Sequence, residues 1–351
     1  MKRFGFLYDK IYSIENLKLA HKKARKGKTH YKEVQMVDAN PKKYLTLIHN
    51  MLKNKTFRNS EYVIMNKKTD NGKVRKIFKL PYYPDRIIHH AIMQIIEPIW
   101  LNTFIRDTYS AIPGRGIHDG VKRIKKALRD EKNTKYCLKL DVKKFYPSVD
   151  NKILKQIIRK KIKDEDLLWL LDEIIDSTKG IPIGNYLSQY FGNLYLSGLD
   201  HYLKENLNCK HVFRYCDDIV ILNSSKEFLH KLKNIIIKYF AGLKLQLKNN
   251  WQVFPVSVRG IDFLGYRFFH KYTLLRKSIK IKFVKKIRSI SKNWEKLSHT
   301  QIVNSVMSYY GWFKYANCKN LARKYIDKNL FWIVKHICID NNITNPLQGI
   351  R

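Results

Sequence analysis

Three carboxylates raise the first chemical question. Asp141 lies within YCLKLDVKKFYPSVD (136–150), and Asp217 and Asp218 sit side by side within FRYCDDIVIL (213–222). Adjacent acids flanked by apolar strand residues repel each other and lose water near a sheet, a penalty that a cation relieves. Taken singly, each element has an ordinary reading: Asp141 as a strand-end cap or solvated edge, the acid pair as an exposed hairpin turn. Taken together, carboxylates from two neighbouring strands form a donor set for hard, oxygen-seeking ions. Two Mg²⁺ ions about 4 Å apart stabilise both the attacking and the leaving oxygen of an in-line nucleotidyl transfer. Asp141 and Asp217 are expected to bridge the metals, with Asp218 closing the site or orienting a metal-bound water and the Val142 carbonyl as a further ligand. Mn²⁺ is an expected substitute.

The elements that must position these residues are legible from periodicity. Alternation puts Tyr136, Leu138 and Leu140 on one face of a strand and Cys137, Lys139 and Asp141 on the other. Val212 to Leu222 reads as strand-turn-strand. A helix is expected over 188–206, where Phe191, Leu194, Tyr195, Leu199 and Tyr202 recur at spacings of three and four. A basic amphipathic helix over 152–163, a helix over 226–240 and a further strand pair over 261–269 complete the middle of the chain. Upstream, residues 1–60 read as basic helices, with Leu17, Ala20 and Ala24 on one apolar face and Tyr44, Leu45, Ile48, Met51 and Leu52 on another. Residues 61–80 form two alternating runs joined by Asp70-Asn71-Gly72, a hairpin signal. A helix beginning near Pro84-Asp85 carries Ile87, Ile88, Ile92, Ile95 and Ile96. After about residue 270 strand signals vanish, and helices are expected at 282–296, 300–316 and 319–339. The pattern is that of an α+β protein.

Composition narrows the partner class. The 351 residues include 69 Lys and Arg against 29 Asp and Glu, a formal net charge of +40 spread along the whole length. Nucleic acid suits such a distribution, because a run of phosphates neutralises many dispersed cations and releases condensed counterions. A Lys-rich composition by itself explains the lysines but not the scarcity of acids. No stretch approaches the ~20 apolar residues of a spanning helix, no lipidation motif is present, and the first residues lack a secretory pattern, so no membrane partner is expected. The five cysteines, Cys137, Cys209, Cys216, Cys318 and Cys338, form no CxxC pair, which argues against a zinc ribbon or a disulfide framework. Gly114, Gly116 and Gly120 are not followed by GK[ST], so a Walker A phosphate loop is not expected either.

Over roughly residues 60–270 the chain resembles the reverse transcriptase family. LDVKKFYPS resembles its motif A, GIPIGNYLSQ its motif B and RYCDD its YxDD motif C, in the family's order. IDFLGY (261–266) resembles the segment that follows the palm, and YSAIPGRGIHDG (109–120) the template-contacting segment before motif A. The resemblance implies a right-hand polymerase fold: a basic helical extension at 1–60, fingers at 61–135, a palm with an antiparallel sheet and helices at 136–272, and a three-helix thumb at 273–351. It implies an RNA-directed DNA polymerase acting on template RNA, cDNA or primer, and dNTPs. Within it, Tyr146 is the aromatic beneath the incoming sugar and Arg75 a triphosphate ligand, which suits bidentate bonding. Ile183 and Gly184 join them at the nucleotide. Arg86, Arg115, Ser188, Gln189, Tyr215 and Cys216 fall along template and primer. Where the family's motif D places a lysine general acid, this chain has Trp251 nearby, and Lys248 is the substitute.

Motif B departs from the commonest pattern. Most retroviral and group II intron enzymes begin it with Gln-Gly and end it with Ser-Pro, whereas this chain has Ile183-Gly184 and Ser188-Gln189. That form resembles the reverse transcriptases of diversity-generating retroelements, as do LYDKIYSIENLKLAHKKARKGK and SYYGWFKYANCKNL. This implies error-prone cDNA, mutated at template adenines, made from a template-repeat RNA with a small, basic, oligomeric helical accessory variability protein. It also implies a bacterial or phage-encoded cytoplasmic protein, with no RNase H or endonuclease domain in the remaining length. A Gln at 183 hydrogen-bonds near the nascent base pair, while Ile offers only apolar surface, a loss of discrimination on the order of 1–3 kcal/mol. Two alternatives stand beside this reading: a defence or abortive-infection reverse transcriptase with the same chemistry, and a catalytically inactive RNA-binding polymerase fold. Retention of all three acids weighs against the second.

Overall fold

A computed structural model describes residues 3–68, 72 and 74–325. The chain opens with four helices, α1 (Tyr8–Tyr12), α2 (Ile14–Ala24), α3 (Lys32–Ala39) and α4 (Pro41–Lys53). Polar caps set two of their starts. The Ser13 side chain accepts from the Asn16 amide at α2, and Asn40 accepts from the Lys43 amide at α4, where Pro41 fills the first turn. Strands β1 (Val63–Lys68) and β2 (Val74–Lys79) pair antiparallel, with Lys68 opposite Val74. Of the turn expected there, Asp70 and Asn71 lie outside the described residues, while Gly72 has φ +77°.

An irregular helical turn, Tyr82–Arg86, leads into α5 (Ile87–Leu101), followed by β3 (Thr108–Tyr109), α6 (Ile117–Ala127) and β4 (Tyr136–Asp141). Then come α7 (Phe145–Ser148), α8 (Asn151–Arg159), α9 (Glu165–Asp176), α10 (Ser188–His201), β5 (His211–Tyr215), β6 (Asp218–Asn223) and α11 (Lys226–Gly242). The last described elements are β7 (Gln252–Pro255), α12 (Val256–Arg259), β8 (Ile261–Phe263), β9 (Tyr266–Phe268), β10 (Thr273–Leu275), α13 (Lys277–Asn293), α14 (His299–Phe313) and α15 (Lys319–Tyr325).

Helices and sheets are mixed, as the patterning predicts. A five-stranded sheet has the order β3-β5-β6-β4-β7, with β3 parallel to β5 and β4 antiparallel to β7; a three-stranded sheet runs β10-β9-β8. Two compact units emerge: Met1–Pro113, Leu140–Ile219 and Lys231–Trp251 form the first, and Gly114–Lys139, Val220–His230 and the residues from Gln252 on form the second. In the first, α1 and α2 pack on α5, burying Ile11, Leu17, Ile88, Ile92 and Trp100. In the second, Phe263, Tyr266 and Phe268 are buried on the small sheet, and Phe283 of α13 meets Phe313 of α14 edge-on at 4.7 Å. Among the described residues no helix is long and apolar enough to cross a membrane.

The structure departs from the sequence expectations in several places, among them the unanticipated helix α6 and the parallel pairing of β3 with β5 where the resemblance implies an antiparallel sheet. Helix α9 was not anticipated, because Leu167, Leu168, Leu170, Leu171, Ile174 and Ile175 are all buried and so present no single apolar face to read. Asp164 starts it by accepting from the Leu167 amide, and also accepts from the amides of Leu7 and Tyr8. The helix expected over 152–163 ends at Arg159. A strand, β10, follows residue 270, too short for alternation to register, with Leu275 opposite Tyr266. Cys137 is fully buried, whereas Lys139 and Asp141, on the same alternating face of β4, are only partly so. Of the helix expected at 319–339, residues beyond 325 lie outside the described part.

Candidate active site

The acid pair stands at a tight turn. Strand β5 ends at Tyr215 and β6 starts at Asp218, leaving Cys216 and Asp217 to reverse the chain. Cys216 is left-handed, with φ +57°, which costs a non-glycine residue about 1–2 kcal/mol. Two contacts hold it there. Arg214 Nη1 donates to the Cys216 carbonyl at 3.0 Å, and the Tyr146 hydroxyl lies 3.1 Å from Cys216 Sγ.

Arg214 is itself fully buried. Its Nε and Nη2 donate to the carboxylate of Asp200, likewise fully buried, at 2.5–2.9 Å. Nη1 and Nη2 also reach the Asn193 side chain and carbonyl at 3.2 Å, and Thr108 Oγ1 donates to Asp200. Helix α10 thus grips β5 through Asn193 and Asp200 and, by way of Arg214, fixes the turn that carries Asp217. A satisfied buried ion pair adds little net stability, but losing one partner costs about 3–5 kcal/mol, so the geometry is strongly specified.

Asp141 ends β4 and is held by the strand segment opposite. Val142 bridges Leu247, the Lys143 amide donates to the Gln246 carbonyl at 2.8 Å, and the Lys248 amide donates to the Asp141 carbonyl at 2.9 Å. The Lys248 ammonium pairs with Asp141 Oδ2. Burial pushes the Asp217 carboxyl above its usual range, and the charge of neighbouring Asp141 pushes it further. Two acids and one lysine therefore share one site. Among the described residues no three His, Cys, Asp or Glu side chains are gathered as a ready cage for an ion. The oxygens of Asp141 and Asp217, with Asp218 next along the turn and the Val142 carbonyl next along the chain from Asp141, are hard donors of the kind that would hold Mg²⁺.

The other expected site residues fall in several places. Tyr146, half-buried on α7, reaches Cys216, and burial raises its phenol pKa. The motif B loop is pinned at both ends: the Ile181 amide donates to the Tyr146 carbonyl at 2.9 Å, and the Ile183 carbonyl accepts from the Phe78 amide at 2.7 Å. Gly184 has φ +130°, and a Cβ there would stand 2.3 Å from the Phe78 carbonyl oxygen, so glycine is required twice over. Ser188 is buried and donates to the Pro182 carbonyl at 2.6 Å, a loop-closing bond, whereas Gln189 is exposed. Tyr215 is half-buried beside the turn.

Arg75 is exposed on β2, opposite Lys67. Arg86 is half-buried and donates to the Ala24 carbonyl at 3.4 Å. Arg115 belongs to the second unit, in the loop before α6. Arg214, Asp200 and Asn193 are functional residues that the sequence motifs do not single out. A signal existed, since Asp200 interrupts the apolar face of α10 and Arg214 interrupts that of β5.

Residues 65–268 match the family described as reverse transcriptase (RNA-dependent DNA polymerase). Protein YkfC of Escherichia coli is 24% identical over 247 residues, covering 57% of this chain and 65% of that protein. The group II intron-encoded protein LtrA of Lactococcus lactis is 26% identical over 180 residues, 47% of this chain and 30% of that protein. The chain thus spans less than two thirds of the length of either relative. In fold it is similar to telomerase from Candida albicans, solved in complex with a fragment of telomeric RNA, with a TM-score of 0.51 at 11% identity over 85% of this chain and 66% of that one.

Proposed function

The chain belongs to the reverse transcriptase family, and from that premise we propose that it is an RNA-directed DNA polymerase centred on Asp141, Asp217 and Asp218. The observation that carries this reading is the meeting of Asp141 and Asp217 from separate strands, with Lys248 against Asp141. Asp141, Asp217, Asp218 and the Val142 carbonyl would hold Mg²⁺, which supplies Lewis acidity to the phosphoryl oxygens when bound. Tyr146 lies beneath the incoming sugar. Lys248, already at the site, is the proton donor for the leaving pyrophosphate. Arg75, Ile183 and Gly184 face the nucleotide, and Arg86, Arg115, Ser188, Gln189, Tyr215 and Cys216 follow template and primer. In the family's terms, residues 61–135 are fingers, 136–272 palm and 273–351 thumb, behind a basic extension at 1–60.

Within the family, the Ile183-Gly184 and Ser188-Gln189 form of motif B supports an error-prone enzyme of a diversity-generating retroelement, working on a template-repeat RNA with a small basic accessory protein. The decisive experiment sequences the cDNA made from a defined RNA template with dNTPs and Mg²⁺, beside Asp217→Ala/Asp218→Ala. cDNA should appear only with the intact acids, its errors concentrated at template adenines, and Ile183→Gln should lower those errors. Accurate cDNA would favour a defence or housekeeping enzyme. Absence of cDNA even with cognate RNA and accessory protein would sink the polymerase reading.

A further inference from the structure

Helix α8 starts with two polar residues that make different bonds. Asp150 caps it, its side chain accepting from the Ile153 amide at 3.0 Å. Asn151 reaches away from its own helix. Its Nδ2 donates to the carbonyls of Ile175 and Thr178, both at 2.8 Å, and its Oδ1 accepts from the Gly180 amide at 3.0 Å. A primary amide supplies these two donors and one acceptor together; a carboxylate in its place would face two carbonyl oxygens with no hydrogen to offer. The segment between α9 and the motif B loop is thus closed onto the first residue of α8.

The same segment closes onto Tyr146 as well. The Ile181 amide donates to the Tyr146 carbonyl at 2.9 Å. Gly180 has φ +74°, and a Cβ there would stand 2.8 Å from the carbonyl oxygens of both Tyr146 and Pro147, so the two backbones are in direct contact. Gly180 therefore lies between Asn151, which holds its amide, and the turn of α7 that carries Tyr146. The Tyr146 side chain has weaker holds. Its hydroxyl is 3.1 Å from Cys216 Sγ, and its Cε1 is 3.8 Å from where a Cβ on Gly192 of α10 would stand. A thiol is a weak hydrogen-bonding group, and glycine presents no side chain. The backbone contact at residues 180–181 is the firm one, and Asn151 is the side chain that holds it.

On the polymerase reading, with Tyr146 beneath the incoming sugar, we propose that Asn151 is a positioning residue for sugar selection: it holds Gly180, and Gly180 with Ile181 sets the place of the Tyr146 ring. A ring close under C2′ leaves room for the hydrogen of a dNTP and none for the hydroxyl of an rNTP. Without the Asn151 side chain the Gly180 amide is released, the Tyr146 carbonyl shifts with residues 180–181, and the ring gives way to a 2′-hydroxyl. A dNTP has no group at that point, so its reaction changes little.

The test is single-nucleotide primer extension by the full chain, with a dNTP and with the matching rNTP. In Asn151→Ala the ratio of kcat/KM for dNTP to that for rNTP should fall about tenfold, through the rNTP, with kcat for the dNTP nearly unchanged. A side chain that only supports the fold lowers both substrates alike, and an unchanged ratio overturns the proposal. Tyr146→Ala should remove most of the selection, and Asn151→Ala added to it should lower the ratio no further; a further fall would mean that the effect does not pass through Tyr146, and overturns the proposal too. If Asn151→Ala does not fold, Gly180→Ala decides instead, since its Cβ pushes on the Tyr146 carbonyl and should lower the same ratio.

Alkylation of Cys216 by iodoacetamide, mapped beside buried Cys137 and Cys209, reads the seat of Tyr146 without polymerisation. It should quicken severalfold at Cys216 alone in Asn151→Ala. No change there, or quickening at all three cysteines, overturns the proposal. If the unaltered chain extends no primer, the polymerase reading falls by itself, and the alkylation still decides whether Asn151 holds Tyr146.

Discussion

The turn between β5 and β6 and the hairpin of β1 and β2 are both short strand pairs, held in opposite ways. Around the acid turn the strands are buried through their centres, and the backbone of Cys216 is fixed by a fully buried arginine. The β1–β2 hairpin is exposed along nearly its whole length, with Val63, Ile64, Met65 and Val74 each more than half exposed. Its root is tied by the Phe78–Ile183 bond and by Tyr62, whose hydroxyl meets Ser177 and Asn185. Charge placement tolerates little error, so the acids sit where burial over-determines the backbone. The hairpin has few buried contacts, and local movement there costs little.

Breaking the rigid member should have the largest effect. Arg214→Met leaves Asp200 buried without its cation and should cost about 3–5 kcal/mol in urea denaturation; a loss under 1 kcal/mol would mean that the network does not fix the turn. Next comes the root of the exposed hairpin. Gly184→Ala forces a Cβ against the Phe78 carbonyl at φ +130°, a strain of about 1–3 kcal/mol, and should raise the KM for dNTP more than it lowers kcat in primer extension.

Asp217→Asn tests the electrostatic cost of rigidity. The folded-state pKa of Asp217 lies above the reference value of 3.8, so its charged form costs stability once pH exceeds the folded value, and no such cost exists below the unfolded one. The variant should therefore melt higher than the parent at pH 7, with the gain shrinking as pH falls towards 4, while extension is lost. An equal gain at both pH values would place its origin elsewhere. Smallest of all, Ile64→Thr on the exposed strand should change stability by no more than about 0.5 kcal/mol, and a larger loss would show that the hairpin packs against something in solution.

What was legible in the sequence divides along the same line. Asp141, Asp217 and Asp218 stand out because charges inside apolar strand patterns are conspicuous, and the flanking strands and α10 follow from periods of two and of three to four. Arg214 does not stand out. One cation among 69 Lys and Arg looks like surface until the fold shows it buried against Asp200. Lys248 is picked out only by its place along the chain, and its ion pair with Asp141 depends on the bridge between Val142 and Leu247, which no local pattern announces.

The bond between the Phe78 amide and the Ile183 carbonyl makes the hairpin a lever with its fulcrum at the motif B loop. The Phe78 carbonyl lies so close to Gly184 that there is no slack for one backbone to move past the other. From residues 183–184 the backbone runs on to Ser188 at the head of α10. The loop is thus tied to the hairpin on one side and leads into α10 on the other, and α10 holds the acid turn through Asn193, Asp200 and Arg214.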